Sequence, residues 1–410
     1  MAIIKPFKAI RPTKDKVAFV TSRPYHEYSE EELNATLKIN PFSFLHIINP
    51  GFKFHKEVSG FERFNLVRNR YLEFLEDNIF SKDTKESFYI YKIKEGNKIC
   101  CGFFCGTSVE DYQNNHIKKH EKTLKQREII FANYLETVGF NAEPVLMTYP
   151  DNKKIAVILK EETKKEPAFF ITTPDKVTHY LWPISNRATI KELQNEFNNI
   201  DSLYIADGHH RCASSNLYAT SIKKNNPNHT GKEPYNFFMS YLIPESQMRV
   251  YEFNRMITDL NHLTKEEFLV KLDTNFRIEN KGASFYKPSK KHHFSMYLDG
   301  EFYSLYLRKK RYLHTDALSK LDTQILFKTI LEPILGIVSL RNNKRIKYRF
   351  GDHSITMKSE IDNGKFKVGF GMLPITIEEI KTIADEDATM PPKSTYIEPK
   401  LRSGLAIYEL

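Results

Sequence analysis

The stretch that decides the reading is LYIADGHHRCASSNLYA, Leu203 to Ala219. Leu203, Tyr204, Ile205 and Ala206 form a short apolar run of the kind that makes a buried strand. Ala213 and Leu217, one helical turn apart, begin a helical face. Asp207 to Arg211 therefore sits where a strand hands over to a helix N-terminus. The first amides of a helix lack intrahelical acceptors and its dipole is positive there, so a phosphate is a natural occupant. Gly208 lets the backbone come close to a ligand, and Arg211 can add a two-pronged contact to its oxygens. A purely structural turn would need only the acid and the arginine as a salt bridge. Five polar or special residues in a row against an apolar strand favour a site.

Composition narrows the partners. The chain has 410 residues, 40% hydrophobic and 13% aromatic, ample for more than one core. No apolar run reaches membrane-spanning length, and the start MAIIKPFKAIRPTKDK lacks the apolar centre of a signal peptide. A cytoplasmic protein without a membrane partner is the expectation. Cys100, Cys101, Cys105 and Cys212 fit no paired zinc-knuckle spacing and read as reduced core thiols. The formal net charge of +10 suits anionic partners. Yet the lysines are spread over KKHEKTLK, KEETKKE and RKKR, and no stripe interleaves arginine with aromatics. Nucleic acid is thus the disfavoured partner and a small phosphorylated metabolite or nucleotide the favoured one. A homodimer is left open.

Mixed strands and helices along the chain predict an α/β or α+β fold with mixed sheets. Three parts are expected, with soft boundaries: 1–160, 161–258 carrying the Asp207 turn, and 259–410 with a proline-rich tail packing back. Ser29 and Glu32 predict a capping box at the start of one helix, Thr189 and Glu192 another. Strands are predicted at Val17 to Val20, Phe44 to Ile48, Ser87 to Ile93, Lys98 to Cys105, Asn141 to Tyr149 and Lys154 to Leu159. A long helix is predicted from Asn115 to Val138, with Leu124, Phe131, Leu135 and Val138 buried. Later, helices are expected at Thr264 to Thr274 and Leu321 to Leu335, and a basic hairpin around Lys344 to Phe350.

Secondary clusters also carry chemistry. On the predicted helix His116 and His120 share a face; the spacing can bind metal, but the zinc-peptidase pattern is absent. His120 or Glu121 can serve as an acid or base in a cleft, or can simply face solvent. In the tail, Lys393, Ser394, Thr395, Lys400, Arg402 and Ser403 alternate hydroxyls with cations and can hold phosphate oxygens. Thr21, Ser22 and Arg23 form a similar polar turn near the start, with an ordinary surface turn as the alternative. A Walker loop, a dinucleotide Gly-x-Gly-x-x-Gly and a Gly-x-Ser-x-Gly elbow are all missing, which argues against P-loop hydrolysis, Rossmann redox and esterase chemistry.

The segments KPFKAIRP, TSRPYHEYSEEEL, NPFSFLHIINPG, EDYQNNHIKKHEKT, NAEPV, LYIADGHHRCAS and MPPKSTYIEPKLRSGL, in that order, resemble the domain-of-unknown-function family numbered 1015 over essentially the whole chain. His26 departs from the aspartate expected after the Pro-Tyr pair, which puts a catalytic role for that position in doubt. The Asp207 to Arg211 run also looks like the phosphate-binding turn of the ParB/sulfiredoxin-like fold. Free-serine kinases of that fold carry a similar Asp-Gly-His-His-Arg. The resemblance implies a phosphotransfer enzyme acting on serine or O-phosphoserine, with ADP, ATP or pyrophosphate as donor or acceptor. It leaves open whether phosphoserine is made or consumed. Gly208, Arg211, Lys393, Ser394, Thr395, Lys400, Ser22 and Arg23 would hold phosphates. Asp207, His209, His210, Glu121 and His120 would share the acid–base work, and Asp207 would take Mg²⁺. The rivals are a ParB-like nucleotide- or nucleic-acid-binding module and a non-catalytic sensor of a phosphorylated metabolite.

Overall fold

The computed structural model describes residues 2–350 and 354–410. The chain forms two compact units, one of 1–118, 123–248 and 399–410, the other of 119–122 and 249–398. The boundary expected near residue 160 is not found. Strands from both sides of it, Val145–Tyr149 and Leu203–Asp207, hydrogen-bond in one sheet. The expected third part also loses its last residues, 399–410, to the first unit. The fold is α+β, with several sheets and interspersed helices.

The first unit is built on a mixed sheet. Its strand order is Ile117–Lys118, Leu203–Asp207, Val145–Tyr149, Phe237–Pro244, Lys98–Ser108, Phe88–Glu95, Val177–Ile184 and Phe169–Thr172. Ile4–Lys5 pairs beside Lys98–Ser108. Long apolar runs let the central strands be covered on a face by helices. Phe103, Val145, Met147, Leu203, Ile205 and Phe238 supply one side of the core, and Leu193 and Phe197 of the helix Arg187–Asn198 the other. The helix His209–Asn225 adds Cys212, Ala213 and Ala219 to the same core. Leu217, expected on that face, is 38% exposed; the buried stripe runs through Cys212, Ser215 and Ala219 instead.

Several short apolar runs read as strands are helical: Val17–Val20, Leu45–Ile48 and Lys153–Glu162. Runs this short carry no decisive period, so packing chooses. The single helix expected from Asn115 to Val138 is instead a turn of helix at Val109–Gln113, a strand Ile117–Lys118, a loop, and the helix Lys125–Val138. His116 and His120 therefore do not share a helical face. Leu124 and Phe131 are exposed, while Leu135 and Val138 are buried. The capping box at Ser29 and Glu32 forms as expected. The one at Thr189 does not, because Asn186 caps that helix three residues earlier.

The second unit is an antiparallel sheet in the order Phe276–Gly282, Glu301–Leu307, His293–Leu298, Val368–Gly371, Phe253–Ile257 and Ile346–Phe350. Phe268 and Leu272, from the helix Lys265–Asp273, pack on it with Ile325, Leu326 and Ile330. That helix carries its own capping box, Thr264 with Glu267. The basic segment at Lys344 to Phe350 is not a hairpin. Its strand pairs with Phe253–Ile257, distant in sequence. The predicted helix Leu321 to Leu335 forms from Asp322 to Leu331, as an α segment, Asp322–Leu326, that continues directly into a π segment, Phe327–Leu331.

Candidate functional site

The decisive local event is a bulge in the strand Leu203–Asp207. Tyr204 pairs with Thr148 and Ile205 with Met147, but Asp207 pairs with Leu146, so Ala206 is the extra residue. Directly paired residues point to the same face of a sheet. Strict alternation would place Asp207 on the face of Ile205 and Met147, in the apolar core. The bulge turns it to the face of Leu146, where a cleft of about 60 Å³ opens. That cleft is lined by His26, Glu143, Asp207, Arg211, Lys400 and Arg402, among others, all of the first unit.

Gly208 follows with φ 107°, a conformation that side chains avoid, and it is the N-cap of the helix His209–Asn225. The same glycine makes room for Arg211, whose guanidinium folds back over it. A Cβ on Gly208 would lie 2.8 Å from Nε and 2.9 Å from Nη2 of Arg211. Arg211 Nη1 donates to the Pro144 carbonyl at 2.8 Å. Its Nη2 stands 3.6 Å from Asp207 Oδ2, and Glu143 is 3.9 Å from Nη1. The amides of Gly208 to Arg211 were expected to hold a phosphate, but the Arg211 amide donates to the Gly208 carbonyl at 2.9 Å and is not available for it.

The other wall comes from the end of the chain. Ser22 and Ser403 exchange backbone hydrogen bonds, and Arg402 donates to the Thr21 carbonyl at 2.8 Å and to Thr21 Oγ1 at 3.3 Å. This return carries Lys400 to 3.3 Å from Asp207 Oδ2. Burial pushes the Asp207 carboxyl up, but the neighbouring Arg211, Lys400 and His209 outweigh it and hold it below its ordinary value. The site thus offers an ionised carboxylate between two cations, with Arg402 and His26 completing the lining.

The sequence-level candidates divide. Asp207, Arg211 and Lys400 line the cleft together. Ser22 supports it from behind through its bond to Ser403, with its own Oγ buried. Arg23 instead stacks on Tyr28, 4.4 Å from its ring centroid, and pairs with Glu32 at 3.3 Å. His209 is buried, and His210 accepts the Leu124 amide through Nε2 at 3.1 Å. Neither histidine is among the lining residues, because the first helical turn points them elsewhere. His120, fully buried, and Glu121, exposed, lie on a loop grouped with the second unit. Lys393, Ser394 and Thr395 also belong to the second unit, where Ser394 Oγ donates to the Pro391 carbonyl at 2.6 Å.

Two of the lining residues, His26 and Glu143, were not among the sequence-level candidates. His26 lines the cleft, although its departure from the expected aspartate counted against it. Glu27 is half-buried; burial raises its carboxyl above the usual range, against the pull of His26, Lys400, Arg23 and Arg402. Its sequence signal was its place in the family-like segment TSRPYHEYSEEEL, beside the Ser22–Arg23 turn.

Comparisons with solved structures return distant likenesses. A free serine kinase in complex with AMP superposes with a TM-score of 0.36 at 10% identity, over 74% of this chain and 91% of that one. SbnI with a C-terminal truncation, from Staphylococcus aureus, gives 0.38 at 12% over 74% and 85%. A conserved hypothetical protein from Pyrococcus furiosus gives 0.35 at 12% over 74% and 95%. No curated protein matches the sequence. The model of one family, described as "Protein of unknown function (DUF1015)", matches residues 4–324, and the chain belongs to that family.

Proposed function

We propose that this chain is a phosphotransfer enzyme, binding a phosphorylated small molecule in the cleft beside Asp207, with serine or O-phosphoserine as the substrate class. One observation carries the reading: the 399–403 return sets Lys400 and Arg402 beside Asp207 and Arg211, at the N-terminus of a 17-residue helix. Phosphoryl transfer asks mainly for positioning and charge neutralisation, which cations and a helix dipole supply. The serine end of the reading rests on the likeness of Asp207-Gly208-His209-His210-Arg211 to the free-serine kinase turn.

In the synthetic direction the serine hydroxyl oxygen forms the new bond to phosphorus, and the bond from phosphorus to the donor's bridging oxygen breaks. Lys400, Arg402 and Arg211 balance the charge on the phosphoryl oxygens. The hydroxyl proton passes to one of the carboxylates that line the cleft, Asp207 or Glu143. Asp207, ionised, would hold Mg²⁺, which would neutralise charge on the phosphoryl oxygens.

The test mixes pure protein and Mg²⁺ with phosphoserine plus ADP, pyrophosphate or water, and separately with serine plus ATP, ADP or pyrophosphate. Serine, phosphoserine and phosphate are then followed. Turnover in any mixture, lost in Arg402→Ala, is the expected result. No turnover in all of them refutes the enzymatic reading. Thermal stabilisation by phosphoserine without turnover would establish a sensor in its place.

A further inference from the structure

The cleft beside Asp207 is small. At about 60 Å³ it holds roughly four or five atoms of water size, the bulk of one phosphoryl group. It does not hold the remainder of a ligand. A second cavity, of about 1210 Å³, is lined by Tyr25, Tyr28, Asn34, Lys38, Phe52 and His55 among others, and it shares one residue with the cleft, His26. All of these residues belong to the first unit. A molecule whose phosphate sits against Lys400 and Arg402 can therefore continue past His26 into this groove.

The chemistry of the two spaces differs. The cleft concentrates cations: Arg211, Lys400 and Arg402 against Asp207 and Glu143. The groove is close to charge balance, with Lys38, Lys56 and Arg63 against Glu30 and Glu57. It is thus no extension of a polyanion site. It offers aromatic faces instead. Tyr25 is 43% exposed on the turn that carries His26, and Phe52 is half-buried against His46 and His55. Asn34, Asn49 and Ser59 add donors and acceptors around those rings. Flat apolar faces rimmed by hydrogen-bonding groups suit a nucleobase and its sugar. A free amino acid fills only a small part of such a volume.

We infer that the groove is a nucleoside site: the phosphorylated ligand is a nucleotide whose base lies against Tyr25 and Phe52 while its terminal phosphate passes His26 into the cleft. The inference rests on the proposed phosphate-binding role of the cleft, so the test separates the two. Binding of AMP, ADP and pyrophosphate to the full chain is measured by titration calorimetry, for the wild type and for Tyr25→Ala, Phe52→Leu and Arg402→Ala. Tyr25 is exposed, so its removal does not threaten folding. ADP should bind at least tenfold more tightly than pyrophosphate. Tyr25→Ala should weaken ADP by about tenfold, the scale of one lost stacking partner, and leave pyrophosphate unchanged. Arg402→Ala should weaken both. Equal affinities for ADP and pyrophosphate, or Tyr25→Ala and Phe52→Leu variants that bind ADP like the wild type, would overturn the nucleoside site while leaving the anion cleft standing. Failure of every ligand to bind the wild type would overturn both.

Discussion

Replacing Gly208 with alanine tests the central geometry at one atom. The backbone there has φ 107°, which costs an L-residue about 1–2 kcal/mol. The new methyl would also stand 2.8 Å from Arg211 Nε and displace the guanidinium from its 2.8 Å bond to the Pro144 carbonyl. A hydrogen bond from a charged donor is worth about 1.5–3 kcal/mol, and the lower end applies because Arg211 is partly exposed. Its contact with Asp207 at 3.6 Å adds little, since both groups reach solvent. Gly208→Ala should therefore cost about 2.5–3.5 kcal/mol. Arg211→Ala alone should cost about 1.5 kcal/mol. In the Arg211→Ala background the glycine change should cost only the backbone strain, about 1–2 kcal/mol, because the displaced group is already gone. The assay is urea unfolding followed by the fluorescence of Trp182, the chain's single tryptophan, buried in the first unit. A Gly208→Ala loss below about 0.5 kcal/mol would refute the strained cap. A loss unchanged by the second substitution would refute the Arg211 contact.

Asp207→Asn removes the negative charge between Lys400 and Arg211. Phosphate should then bind more tightly, by about fourfold for a unit charge some 5 Å away in water-like surroundings; weaker phosphate binding would contradict the arrangement. Buried His179, its Nδ1 2.7 Å from the Tyr91 hydroxyl, is pushed by burial down to about 4. The unfolded chain then takes up the proton first, so stability of the first unit should fall by about 3 kcal/mol as pH drops from about 6.5 to about 4. In His179→Gln that slope, read by Trp182, should flatten; an unaltered slope counts against the assignment. In the second unit, burial raises the Asp322 carboxyl to about 6 while Oδ1 accepts the His292 amide at 2.8 Å. The folded state here holds the proton longer, so stability is lost as pH rises from about 4 to about 6. Asp322→Asn keeps the acceptor and should stabilise this unit at pH 7 by about 1–3 kcal/mol, seen as slower hydrogen exchange in the strand His293–Leu298. Unchanged exchange would argue against a buried charge.

The elements legible in advance were those that one stretch of chain determines for itself. Leu203 to Ala206 is apolar enough to make a strand, Gly208 stops it, and a helix follows. The Ser29–Glu32 capping box closes within one helical turn. Four-to-six-residue apolar runs such as Val17 to Val20 and Phe44 to Ile48 had no such autonomy. Their segments form helices because tertiary burial, rather than a local period, selects the conformation.

By itself, then, the sequence determined a strand, a glycine-capped turn and a helix, and an aspartate and arginine within them. Only the tertiary structure decided what they face. An extra residue at Ala206 rotates Asp207 out of the core, and no pattern in the segment shows a bulge whose register depends on Val145–Tyr149. Lys400 and Arg402 reach the same cleft because the final segment pairs with Ser22, about 380 residues earlier. Contacts that distant in the chain are chosen by the packed whole, and local composition holds no record of them.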